Sequence, residues 1–191
     1  MASLWNTGTW LNEPEHWSVS SDTLQITTDF ETDFWRTTSY GFVRDSGHAL
    51  LHDFPDNTSF EVTVTADYSE QFDQAGILVR ASETHWIKCG VEYADGVLGV
   101  GAVVTSTVSD WSTSPHPHWL HTPITFRVSR SGDALTIKAK SSDGHWELVR
   151  LAPIDPSLDW QAGPFAATPT REGLIVTFTD PLWGQADSSL H

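Results

Sequence analysis

The feature that most limits how this chain can fold is an alternation of apolar and polar residues with a period of two. Over residues 60–68, the Phe, Val, Ala and Tyr side chains fall on one face of an extended segment, and the Glu, Thr and Asp side chains fall on the other. Residues 124–128 and 135–139 repeat the pattern on either side of Ser131-Gly132-Asp133, which predicts a hairpin. Such alternation is typical of strands that bury one face.

Two further segments extend this β pattern along the chain. A strand over residues 146–151 follows Asp143-Gly144, and a last strand over residues 174–178 ends at Asp180-Pro181. We find no window of ten residues with a convincing helical period. Many short strands separated by turn signals are typical of an all-β sandwich or barrel. We therefore predict a single β-sandwich domain over residues 1–184, followed by a flexible tail over residues 185–191.

The composition excludes several classes of protein. The 191 residues include 10 Lys and Arg against 25 Asp and Glu, a net charge of -15, and an excess of this sign repels the phosphates of a nucleic acid. No segment approaches the roughly 18 consecutive apolar residues of a membrane span. Residues 1–10 lack the basic and apolar regions of a signal peptide. We expect a cytoplasmic protein that binds neither nucleic acid nor membranes.

A candidate binding surface lies where two predicted strands meet. Residues 74–80 and residues 85–93 each alternate between an apolar face and a mixed face, and the one cysteine, Cys89, falls on the apolar face. If the two strands form a hairpin through residues 81–84, their mixed faces combine into one surface. That surface carries Gln74, Gly76, Arg80, Trp86, Lys88, Gly90 and Glu92. Glycine within a strand marks the close approach of a ligand or of another backbone.

A series of short motifs, in order along the chain, resembles one protein family. The motifs are Trp10-Leu11-Asn12-Glu13-Pro14, Thr32-Asp33-Phe34-Trp35-Arg36-Thr37, Tyr40-Gly41-Phe42, Gly47-His48, Asp73-Gln74-Ala75-Gly76, Trp86-Ile87-Lys88, Glu92 and Ser109-Asp110-Trp111-Ser112. Together they resemble the poorly characterised concanavalin A-like family that includes the fungal "regulation of enolase" protein. The resemblance implies a two-sheet antiparallel jelly-roll sandwich of the lectin/glucanase superfamily, with one concave sheet. It also implies a role in sugar metabolism, without an established reaction.

The candidate ligand-binding residues are those that the concave sheet of such a fold would gather. They are Asp33, Trp35, Arg36, His48, Gln74, Arg80, Trp86, Lys88 and Glu92, with Asp110 and Trp111 at the rim. Sugar recognition needs planar apolar faces against C–H groups together with charged or amide groups that bind hydroxyls, and this set contains both. The alternative is a buried ion-pair network with its tryptophans packed as core. Asp33 and Arg36 fall on opposite faces of a regular strand, so both reach the site only across a bulge.

The predicted function is the binding of a carbohydrate or sugar-like metabolite, with a regulatory role in sugar metabolism. Trp35, Trp86 or Trp111 would stack on the sugar, while Gln74 and His48 would add hydrogen bonds. Arg80, Lys88 and Glu92 would bind hydroxyls or a carboxylate. Because Arg80 and Lys88 are two cations on one surface, the sequence also permits a phosphorylated or acidic sugar.

An enzymatic function is the first alternative. Sandwich glucanases carry alternating acids on one strand, and residues 31–36 begin in this way, but Arg36 stands where the last acid should be. A hydrolase, lyase or epimerase of modified sugars would instead use Asp33, His48 or Glu92 as acid or base.

The segment around residues 109–121 supports a second alternative, a regulatory module that binds a protein partner. It contains His116, His118 and His121 between tryptophans and prolines, and the histidine spacing matches no standard zinc signature. We therefore predict no metal and no cofactor. We expect this loop to border the concave face, with Trp111 as a ligand contact.

Overall fold

The computed structural model describes residues 4–142 and 144–189. Residue 143 of the predicted Asp143-Gly144 turn, residues 1–3 and the last two residues of the predicted tail lie outside this range. The described helical segments are two 3-10 turns, Leu4–Asn6 and Pro117–Trp119. Neither has the length and apolar character that crossing a membrane requires.

Sixteen strands run through the described residues. In chain order they are β1 (Thr9–Leu11), β2 (His16–Ser20), β3 (Thr23–Thr27), β4 (Phe34–Arg36), β5 (Val43–Asp45), β6 (His48–Asp53), β7 (Thr58–Ala66), β8 (Asp73–Ser82), β9 (His85–Ala94), β10 (Val97–Ser106), β11 (Val108–Pro115), β12 (Ile124–Ser131), β13 (Ala134–Ser141), β14 (Glu147–Pro153), β15 (Gln161–Ala167) and β16 (Ile175–Gln185).

The strands form two large antiparallel sheets and one small one. The first sheet has the order β1-β6-β15-β8-β9-β10-β11, and the second has the order β14-β13-β12-β7-β16-β3-β2. The hairpin β4–β5 forms the two-stranded third sheet. The predicted all-β jelly-roll sandwich is confirmed.

The main core lies between the two large sheets. Ile77 and Cys89 of the first sheet are buried in the same cluster as Val62 and Phe126 of the second sheet. Fully burying an aliphatic or aromatic side chain of this size contributes about 1.5–3 kcal/mol. Burial raises the pKa of the Cys89 thiol to about 12, so Cys89 is a core residue, as the alternation predicts.

The predicted β12–β13 hairpin is confirmed, but the predicted end of the last strand is wrong. Strand β16 continues past Asp180-Pro181 to Gln185, and its register against β7 shifts between Thr179 and Leu182. Asp180 has a φ of 54° in this irregularity. A bulge accommodates a proline because the ladder of backbone hydrogen bonds is interrupted there. Asp180-Pro181 therefore bends the strand instead of ending it.

Contacts with the sandwich extend beyond the predicted boundary at residue 184. The carbonyl oxygen of Gln185 accepts a hydrogen bond from Ser59 Oγ at 2.9 Å. Asp187 accepts a hydrogen bond from Arg127 Nε at 2.8 Å and forms an ion pair with Lys138 Nζ at 3.1 Å. The first part of the predicted flexible tail, Gln185 and Asp187, therefore contacts the outer face of the second sheet, where these acceptors satisfy its side chains.

Candidate functional site

Strands β8 and β9 form the predicted hairpin in the middle of the first sheet, and their mixed faces lie on the side away from the main core, which is the face predicted to be concave. Gln74 pairs with Glu92, Leu78 with Lys88, and Arg80 with Trp86. Members of such pairs point to the same face of a sheet. The mixed faces of the two strands therefore combine, as the alternation predicts.

The glycines of this face, Gly76 and Gly90, are opposite each other on neighbouring strands. A Cβ atom at Gly76 would collide with the carbonyl oxygen of Cys89, and one at Gly90 would collide with the carbonyl oxygen of Ala75. The close approach that requires glycine is thus that of the adjacent strand.

The β4–β5 hairpin covers one part of this face. Arg80 donates two hydrogen bonds, of 2.7 and 2.8 Å, to the carboxylate of Asp45 in β5. The backbone N–H of Arg36 in β4 donates to Ser109 Oγ of β11 at 2.9 Å. The hairpin is therefore fastened to the first sheet at two places, and it divides the concave face into a covered part and an open part.

Trp86 lies in the covered part and is 0 % exposed. Its ring centroid is 5.9 Å from that of Phe34 in β4, within a second apolar cluster that also holds Phe165. The prediction that Trp86 stacks on a ligand is therefore wrong, because the hairpin packs on its ring. Arg80 is likewise committed to Asp45, so the predicted pair of cations for an acidic sugar does not form.

The open part of the concave face is a cavity of about 280 Å³. Its polar and charged lining residues are Glu31, Asp33, Arg44, Gln74, Lys88, Glu92 and Thr170, and the others are Trp35, Tyr40, Phe42, Phe72, Trp111 and Pro169. Six of the predicted site residues thus meet here: Asp33, Trp35, Gln74, Lys88, Glu92 and Trp111.

A hydrogen-bonded network forms the floor of the cavity. Lys88 Nζ donates to Asp33 Oδ1 at 3.0 Å and to Gln74 Oε1 at 2.6 Å. Gln74 Nε2 donates to Asp33 Oδ1 at 3.3 Å. Because Lys88 is only 5 % exposed, its ammonium group depends on these two partners for the interactions that water would otherwise supply.

Glu92 stands apart from this network. Its carboxylate accepts no hydrogen bond from any described residue, although it borders the same cavity as Lys88. Burial raises the pKa of Glu92 above the usual value, nearby Lys88 lowers it in part, and the charge of Asp33 raises it further. Glu92 is thus an acceptor held at the cavity without a protein donor.

Three predicted residues have other partners. Arg36 Nε donates to the carbonyl oxygen of Thr107 at 3.1 Å, whereas Asp33, just before β4, reaches the cavity. His48 Nδ1 is 2.6 Å from the carbonyl oxygen of Asn12, and its Nε2 accepts from the backbone N–H of Asp29 at 3.1 Å. Both nitrogens of this buried histidine are thereby occupied, and the predicted roles of Arg36 and His48 at the site are wrong.

Asp110 and Trp111 face opposite sides of strand β11. Asp110 accepts a hydrogen bond from Arg150 Nη2 of β14 at 3.1 Å, away from the cavity. Trp111 lines the cavity and is 41 % exposed. Only Trp111 therefore belongs to the rim, because neighbouring residues of a strand point to opposite faces.

The histidine-rich loop does not border the cavity. His116 Nε2 is 3.0 Å from Glu147 of β14, and both line a groove between the edges of the two large sheets. His121 forms an ion pair with Asp67 at 3.4 Å. The expectation that this loop forms a rim of the concave face is wrong, since the loop closes the edge of the sandwich.

The largest contribution that the sequence reasoning missed is the turn between β4 and β5. The rings of Tyr40 and Phe42 stack at 5.5 Å, and the edge of Tyr40 meets Trp35 at the same separation. The guanidinium of Arg44 lies 5.2 Å from the Phe42 ring. The sequence signal for this aromatic rim was the pair of aromatic residues that flank Gly41. Large side chains in a short turn cannot reach the core, and so they remain at the surface.

Comparisons with known proteins agree with the fold. Residues 10–184 match the family described as "Protein of unknown function (DUF1349)". The chain is 41% identical over 178 residues to "Regulation of enolase protein 1" of Saccharomyces cerevisiae, which covers 91% of this chain and 87% of that protein. The resemblance found in the sequence motifs is thus confirmed.

Two solved structures extend this comparison. A functionally unknown protein from Saccharomyces cerevisiae has a TM-score of 0.91 and 38% identity, over 96% of this chain and 99% of that chain. A mutant of the GH43 protein BlXynB from Bacillus licheniformis has a TM-score of 0.69 and 16% identity, over 96% of this chain and 38% of that chain. At that identity, the second likeness shows the fold alone.

Proposed function

This chain belongs to the DUF1349 family of proteins of unknown function, and from that premise we propose that it binds a carbohydrate or sugar-like metabolite in the open cavity of its concave face. The observation that carries the proposal is the pairing of aromatic walls with a buried polar floor. Trp35, Tyr40, Phe42 and Trp111 surround a network built on Lys88.

Each part of the cavity suits one part of a sugar. Aromatic faces cover the C–H groups of a pyranose ring, and carboxylate oxygens accept hydrogen bonds from its hydroxyl groups. Glu92 is such an acceptor without a protein donor. The volume of about 280 Å³ lies at the small end of ligand cavities, which span roughly 300–1,000 Å³, and so fits about one ring.

The names of similar proteins support a place in sugar metabolism. One relative is named for the regulation of enolase, and one structural neighbour is a GH43 protein. On the basis of the first of these names, we propose that ligand binding has a regulatory role in this chain.

The direct test is calorimetric titration of a panel of neutral monosaccharides, with wild type compared with Trp111→Ala. We expect saturable binding that Trp111→Ala weakens about tenfold or more, which corresponds to about 1.4 kcal/mol of lost contact. Trp146→Ala is the matched control, because Trp146 is an exposed tryptophan that packs on Lys140 outside the cavity. Absence of binding by any sugar, or equal weakening by both variants, would contradict the proposal.

A second candidate is acid–base chemistry on a sugar. Asp33 and Glu92 line one cavity in different environments, since Asp33 accepts from Lys88 while burial raises the pKa of Glu92. Two carboxyl groups in different environments at one cavity are what a glycosidase requires. Turnover of aryl glycosides that disappears in Glu92→Gln, with sugar binding retained, would favour this candidate over binding alone.

A further inference from the structure

We infer that the cavity selects an amino sugar over neutral and anionic sugars. An amino sugar carries a protonated amine in place of one of its hydroxyl groups. This inference rests on the proposed function and names its ligand class.

The charges that line the cavity favour a cation. The carboxylates of Glu31, Asp33 and Glu92 outnumber the cationic side chains of Lys88 and Arg44. A phosphorylated or acidic sugar would therefore add a negative charge to a cavity that already has an excess of them.

Lys88, the buried one of the two lining cations, is already engaged, while Arg44 is exposed at the rim. Lys88 Nζ binds Asp33 and Gln74, and the guanidinium of Arg44 lies over the ring of Phe42. An anionic ligand would have to compete with these contacts for its counter-charge. The ion pair of Lys88 with Asp33 is partly buried, so breaking it would be costly.

Glu92 is the group that an ammonium would satisfy. Glu92 is half-buried, and for a carboxylate that is partly removed from water a hydroxyl group compensates less than a charged donor does. Glu92 and Trp111 together border the main cavity and the two hollows that adjoin it. A cation bound to Glu92 thus lies beside an indole ring, whose face attracts cations.

Binding of an amine should also depend on pH. Among the charged groups near Glu92, Asp33 raises its pKa and Lys88 lowers it, while Glu31 and Arg44 line the same cavity. Burial keeps Glu92 protonated to a higher pH than usual. Because an ammonium binds the ionised form, the affinity for the amine increases as the pH rises through this range.

The experiment is calorimetric titration with glucosamine, glucose, N-acetylglucosamine and glucose 6-phosphate at pH 5, 6 and 7. We expect glucosamine to bind at least tenfold more tightly than glucose at pH 7, with N-acetylglucosamine resembling glucose. The preference should shrink towards pH 5, and glucose 6-phosphate should bind least well. These comparisons use the wild-type protein and need no variant.

Two variants assign the preference to Glu92. Glu92→Gln should bring glucosamine to within about twofold of glucose while glucose binding persists. Glu147→Gln, on β14 outside the cavity, should keep the preference. Equal binding of glucose and glucosamine, or a preference for the phosphate, would overturn the inference and leave the proposed function standing. Binding of none of these sugars would overturn both.

Discussion

Lys88 and Glu92 lie four residues apart on the same face of β9, yet their surroundings differ. Lys88 is buried and has two protein partners, Asp33 and Gln74. Glu92 has none among the described residues and lies where a ligand could reach it. The difference arises because Asp33, which enters from outside the sheet, contacts the lysine and not the glutamate.

Replacing Glu92 by glutamine should stabilise the protein at neutral pH. The pKa of Glu92 is raised above the reference value of 4.5, so below that value both the folded and the unfolded chain are protonated there. Between 4.5 and the raised value, the unfolded chain has lost this proton while the folded chain still holds it, so the free energy of unfolding falls over this range and levels off above it. Glu92→Gln removes this loss.

Urea unfolding of wild type and Glu92→Gln between pH 4.5 and pH 8 measures this effect. The stability advantage of the variant should grow with pH and then level off. The Glu83→Gln variant serves as control because Glu83 is exposed. An advantage of Glu92→Gln that is constant with pH would show that burial does not perturb this carboxyl group.

Single side chains also show what can be predicted from the sequence. Alternation correctly placed Gln74, Lys88 and Glu92 on one face, because a strand turns successive residues to opposite sides. The same rule placed Trp86 on that face but could not reveal the hairpin that covers it. Local periodicity therefore predicts the direction of a side chain, whereas its exposure depends on segments distant in the sequence.

The β4–β5 hairpin is the element that turns an open sheet into a cavity. One side of it packs through Phe34 on Trp86 and Phe165. Its turn carries Tyr40 and Phe42 to the rim. Strands of three residues are too short to show a period of two, so alternation gave no signal for this hairpin, and the aromatic pair that flanks Gly41 was the signal that remained.

Truncation of Phe34 should loosen the hairpin and weaken sugar binding together. Phe34 is fully buried, and removing such a ring costs about 3–5 kcal/mol. Urea unfolding and calorimetry of Phe34→Ala should show this loss of stability and weaker binding, because Asp33 is the preceding residue. Phe30→Ala is the matched control, since Phe30 is exposed and its loss should change stability by less than about 0.5 kcal/mol. Full retention of sugar binding in a folded Phe34→Ala variant would contradict the role given to the hairpin.

The sandwich fold itself was the most predictable feature. Long strands such as β7, β12 and β13 bury one face against a common core, and that requirement is visible as alternation. The resemblance of ordered motifs added the jelly-roll arrangement, which periodicity alone leaves open. The contacts of Gln185 and Asp187 with the second sheet could not be predicted from periodicity, because they are hydrogen bonds and ion pairs of polar residues.

Truncation after Gly184 should therefore destabilise the protein. It removes the carboxylate of Asp187, which pairs with both Arg127 and Lys138. Arg127 keeps its ion pair with Glu61, whereas Lys138 loses its partner in a largely buried position, and a fully buried charge left unpaired costs about 3–5 kcal/mol. A chain that ends at Asp187 keeps these acceptors and should retain most of the stability. Thermal and urea unfolding of the two truncated chains make the comparison. Equal stability of both with the full chain would restore the domain boundary at residue 184.

A crystal structure of the protein soaked with glucosamine would locate the ligand directly. The account predicts one sugar ring in the open cavity beside Trp111 and Tyr40, with its amine at hydrogen-bonding distance from Glu92. Sugar bound instead in the groove between His116 and Glu147, or an empty cavity at a concentration that saturates the calorimetric titration, would contradict it.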